Sequence, residues 1–149
     1  MSTELKNKID TDFKAAMKAK SPEYPIISFL RAAIKQVEVD SRKEMTDEEV
    51  VAVVQREVKK RKDSITEYEK GGRPDLAQKE AEEVRVISRY LPAQMSENDI
   101  KKIIKETLAE MGPVDPSKMG QVLGKVMPKV KGKAEGSLVN KIVKDLLTV

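Results

Sequence analysis

Cysteine, histidine and tryptophan are absent from the 149 residues, and aromatic side chains make up only 3% of them. Without cysteine there can be no disulfide framework, no thiol nucleophile and no thiolate metal ligand. Without histidine there is no imidazole base and no Cys/His zinc site. Catalysis is left to carboxylates, lysines and hydroxyls, so no catalytic residue, metal or cofactor is expected, and a self-sufficient enzyme is disfavoured. No apolar run approaches the ~20 residues of a spanning helix, so no membrane partner is expected. The opening residues, Met-Ser-Thr-Glu-Leu-Lys, lack the apolar core of a secretory signal. With no cysteine either, the expected location is cytoplasmic.

What is abundant is charge, at 36% of residues with a net of +4. Residues 1–92 are almost balanced, with 19 Lys and Arg against 18 Asp and Glu. The excess lies near the C-terminus. Between residues 116 and 144 seven lysines (Lys118, Lys125, Lys129, Lys131, Lys133, Lys141 and Lys144) face one acid, Glu135. Clustering of this kind is the electrostatic footprint of a polyanion-binding surface.

Apolar residues recur with helical period along nearly the whole chain, and no segment sustains the alternation of a strand. Seven helices are expected, over about 3–19, 25–43, 47–70, 75–90, 97–111, 116–127 and 135–148. The start signals are specific. Thr46 and Glu49 make a capping box, Ser96 caps the fifth helix, and Gly112-Pro113 is a stop. The first half of the third helix is valine-rich (Val50, Val51, Val53, Val54, Val58), which alone could suggest a strand, but the capping box and the i,i+4 charge pairs favour helix. Its second half, with Arg56, Lys59, Lys60, Arg61 and Lys62 beside Glu57, Asp63, Glu67 and Glu69, reads as a self-compensated, solvated face. The fold class is therefore all-α: an N-terminal four-helix region over 1–92 packed with a C-terminal three-helix bundle over 93–149.

The segment from Met119 to Lys133 has two notable features. Gly120 and Gly124, four apart in a helix where each costs about 1 kcal/mol relative to alanine, are expected to let a neighbouring helix pack closely. They do not form a phosphate loop, which needs four residues between its glycines and Ser or Thr after the lysine. The Lys131-Gly132-Lys133 turn is expected to meet an anion, aided by the amides that open the next helix. Because the basic segment holds no aromatic residue, any nucleic acid would be met through phosphates and shape, which favours folded RNA or duplex over single strands.

Leu30-Arg31, Arg73-Pro74-Asp75-Leu76-Ala77, Glu80-x-x-Glu83, Tyr90-Leu91-Pro92, Met119-Gly120-x-Val122, Val126-Met127, Lys131-Gly132-Lys133-Ala134 and Val139-Asn140-x-x-Val143 occur in the order seen in the YqeY-like family. The chain resembles that family over essentially its full length. Its C-terminal motif also resembles the tail of the B subunit of glutamine-dependent Asp/Glu-tRNA amidotransferase, a tRNA-contacting appendage remote from the active sites. Glu135 follows Ala134 where stand-alone members usually carry aspartate. The resemblance implies tRNA or another structured RNA as partner, with an amidotransferase or other translation-related protein as a second possibility. Candidate RNA contacts are Lys125, Lys129, Lys131, Gly132, Lys133 and Lys141; Gly120, Gly124, Met127 and Ala134 are the motif's packing positions. A non-catalytic tRNA-binding accessory role is the leading expectation. The rivals are a protein-docking module and part of a glutamine-dependent carbon–nitrogen ligase.

Overall fold

A computed structural model describes residues 3–148. It is all-α, with seven α-helices and no strand among the described residues: α1 Glu4–Ala19, α2 Tyr24–Ser41, α3 Asp47–Lys70, α4 Pro74–Ile87, α5 Glu97–Met111, α6 Met119–Val130 and α7 Gly136–Leu147. The chain divides into two compact units, Met1–Leu91 and Pro92–Val149.

In the first unit α3 and α4 form a hairpin across the Gly71-Gly72 turn, and α1 and α2 pack on it. Its core gathers Ile9, Leu30, Ile34, Val50, Val54, Val86 and Ile87, each almost fully removed from water. Thr46 caps α3 by accepting the Glu49 N–H at 3.3 Å. The return arm of that box differs from expectation: the Glu49 carboxylate accepts from the Thr46 hydroxyl, not from its backbone N–H. After α4 a single 3₁₀ turn, Ser88–Tyr90, swings Tyr90 into the core, where its hydroxyl donates to Asp12 at 2.6 Å. Burial and that carboxylate push the Tyr90 phenol well above its ordinary value.

Two side chains depart from the sequence reading. Met17, in register with the apolar residues Ile9, Phe13 and Ala16 of α1, is 52% exposed. Arg61, expected on a solvated face, is buried: its guanidinium lies over the Phe29 ring at 5.1 Å and bonds Glu57 at 2.7 Å.

The second unit is a three-helix bundle closed around Ile100, Ile104, Val122, Val126, Val130, Val139 and Val143. Ser96 and Asp99 complete a reciprocal capping box on α5. Asp115 accepts from the backbone N–H of Ser117 at 2.9 Å and from its hydroxyl. Those bonds hold its carboxyl below the ordinary range. α6 runs through Pro128 to Val130, one turn past its expected end. Burying Val130 completely offsets what the proline disrupts.

Candidate nucleic-acid interface

The turn that joins α6 to α7 is fixed by its backbone. Gly132 has φ +78°, a left-handed conformation that side chains resist, so glycine is favoured there. The N–H groups of Lys133 and Ala134 both donate to the Val130 carbonyl, at 2.9 and 3.1 Å. From the α5 side, the Met95 N–H donates to the Lys133 carbonyl at 2.8 Å, and the Gln94 amide donates to the Gly132 carbonyl at 3.1 Å. Ala134 is buried in the bundle core. The turn is thus stapled on both sides, while the Lys131 and Lys133 side chains are exposed.

α7 begins directly after it. The Leu138 and Val139 amides close on the Glu135 carbonyl, so the Gly136 and Ser137 amides sit at the open, positively polarised end of the helix. Glu135 makes no side-chain cap bond there. The Met127 methyl reaches over the same end, 3.6 Å from where a Gly136 Cβ would stand.

The remaining candidate lysines have different surroundings. Lys129 Nζ donates to Thr107 Oγ1 at 2.9 Å and lies 3.7 Å from Glu110, which ties it to the C-terminal half of α5. Thr107 in turn donates to the Ile103 carbonyl and is wholly buried. Lys129, still 42% exposed, is thus partly engaged within the bundle. Lys141 lines a shallow groove with Glu97, Lys101 and Asp145, at the N-terminal end of α5. Lys101 and Thr107 are six residues apart on that helix, about 9 Å at 1.5 Å per residue. Lys125 is exposed on α6.

The packing role expected for Gly120 and Gly124 is corrected. Both are exposed, and a Cβ built on either meets nothing within 4 Å. Their face of α6, continued by Gln121 and Pro128, is bare. Pro128 has no N–H to offer the Gly124 carbonyl four residues back, so backbone is open to solvent along this face. Met119 and Met127 differ: Met119 packs on the core, and Met127 remains 36% exposed.

A family model described as Yqey-like protein matches residues 6–147. The chain belongs to this family. Among curated proteins it is similar to altered inheritance of mitochondria protein 41, mitochondrial, of Kluyveromyces lactis. That match is 34% identical over 119 residues, covering 76% of this chain and 64% of the relative. The protein of the same name from Candida glabrata is 33% identical over 134 residues, covering 83% and 73%. The one from Vanderwaltozyma polyspora is 31% identical over 111, covering 69% and 60%. The chain thus spans under two thirds of the length of the first and third of these. Their names overturn the cytoplasmic expectation, since they are named as mitochondrial proteins and the absence of cysteine does not discriminate between the two compartments.

Proposed function

We propose that this Yqey-like protein binds structured RNA, tRNA above all, and that the Lys131-Gly132-Lys133 turn is its principal phosphate contact. The observation that carries the reading is the stapled turn: its carbonyls are engaged inward, and two lysines stand out beside the open N-terminus of α7. Seven lysines against one acid between residues 116 and 144 supply the surrounding field. Lys125 adds a cation on the exposed face of α6, and Lys141 contributes at longer range. Filter binding to bulk and mitochondrial tRNA tests this, with affinity expected to fall as salt rises. Affinity indifferent to salt contradicts it.

A second reading is favoured by one observation, the bare face of α6 at Gly120 and Gly124, which would let a partner protein approach the backbone closely. A partner retained after nuclease treatment, and lost on Gly124→Lys, supports that reading over RNA binding. The third reading, transfer of ammonia from glutamine, would have to use a hydroxyl or a lysine, since the chain has no cysteine. Purified protein given glutamine, ATP and aminoacyl-tRNA is expected to release no glutamate.

A further inference from the structure

The outer surface of the first unit carries an apolar row that its own fold does not cover. Pro25, Ile26 and Phe29 share one face of α2, and Pro22 extends the row in the turn before it. Pro22 and Pro25 are exposed, Ile26 is half-buried and Phe29 is 52% exposed. The first three border a groove of about 780 Å³ against α4, with Ala81 on its far wall. Its α4 wall runs from Asp75 to Arg85, about three helical turns or ~15 Å, the reach of a short docked helix.

The charges around this groove are unevenly satisfied. Arg85 is spent on Glu82 and Glu23, and Asp75 is held by Arg73. Glu83, on the groove wall, meets the Arg61 Nε at 3.7 Å, too far for a hydrogen bond, and lies against the Glu80 carboxyl. The Arg61 Nε is itself buried without an acceptor, while its other bonds go to the Glu57 side chain and carbonyl. Glu80 stands one turn before Glu83, and burial together with the Glu83 charge raises its carboxyl above the ordinary value. Lys79 is the one groove cation with no ion pair among the described residues. Glu83 on the groove wall and Glu80 beside it therefore share one guanidinium that already serves Glu57, with Lys79 the other cation acting on Glu80.

We infer that the α2–α4 groove receives an amphipathic helix of a partner protein, its apolar residues seated on Pro25, Ile26 and Phe29 and a lysine or arginine neutralising Glu80 and Glu83. The apolar row sets the spacing of the partner's anchors, and the unmatched acids set the sign of its charge. A cation there would release Glu83 from its long contact and relieve the Glu80–Glu83 repulsion.

A random 16-residue peptide display library, selected on the full chain, tests this. Enriched peptides are expected to carry apolar residues at i, i+3 or i+4 and i+7 with a flanking lysine or arginine. The best of them, labelled for fluorescence anisotropy, should bind about tenfold more weakly to Phe29→Ser, the loss of one aromatic anchor. Glu80→Gln should weaken it too, whereas Met17→Ser, exposed on α1 and outside the groove, should leave it unchanged. Enriched peptides that are acidic or aperiodic, or that bind Phe29→Ser and wild type alike, overturn the proposal, as does failure to enrich any sequence. RNA binding by Phe29→Ser should stay at the wild-type level, so the two sites fail or stand separately.

Discussion

Gly124 and Gly132 lie eight residues apart in the same basic segment and owe their identity to opposite causes. At Gly132 the backbone sits at φ +78°, where an L side chain costs about 1–2 kcal/mol. Gly132→Ala is therefore expected to destabilise the chain by about that amount in urea unfolding, and to weaken RNA binding through the displaced lysines. Gly124 has helical neighbours and open space at its Cβ position. Gly124→Ala should stabilise by up to about 1 kcal/mol, since only the propensity term changes. A loss of stability there would restore the close-packing role that the structure removes. Sequence spacing shows that a helix tolerates two glycines without showing which way they face, and only the bundle's core decides that. Arg61 was hidden for the same reason, since its neighbours in sequence are surface lysines, and its burial depends on Phe29 and Glu83, distant along the chain.

Among the helices, those with local stop and start chemistry were legible. Thr46 and Ser96 mark α3 and α5, and Gly112-Pro113 ends α5, because capping is decided within four residues. The ends governed by distant packing were not. α6 passes through Pro128 because Val130 is buried, and α4 gives way to a 3₁₀ turn because Tyr90 must reach Asp12. Long-range polar ties of this kind also set the unit's response to acid. Burial alone would raise the Glu38 carboxyl, yet the Lys6 ammonium at 2.8 Å and the Met45 N–H at 2.9 Å hold it below its ordinary value of 4.5. A carboxyl lowered by folding gives stability that is complete above its unfolded value and lost as pH falls through its folded value. Glu38→Gln should thus cost about 1–2 kcal/mol at pH 7, and the gap from wild type should close as pH falls from 5 towards 3. A gap that stays constant with pH would show that packing, not ionisation, is at stake.

At the scale of the whole molecule, the near-balanced first unit and the lysine-rich second suggest a division of labour, with protein contact proposed for the α2–α4 groove and RNA contact for the α6–α7 turn. The basic segment was legible as a count of charges. Its geometry was not, because the bonds of Lys129 to Thr107 and Glu110 and the backbone staples on the Lys131-Gly132-Lys133 turn join residues distant along the chain. The most direct measurement is tRNA filter binding by wild type and the Lys131→Glu/Lys133→Glu double variant across 50–200 mM salt. The double variant should remain folded by circular dichroism and bind at least about tenfold more weakly at low salt. Its slope against salt should be shallower by about 2, because two fewer phosphates are neutralised. Wild-type affinity and slope in the double variant would contradict the phosphate-binding role of the turn.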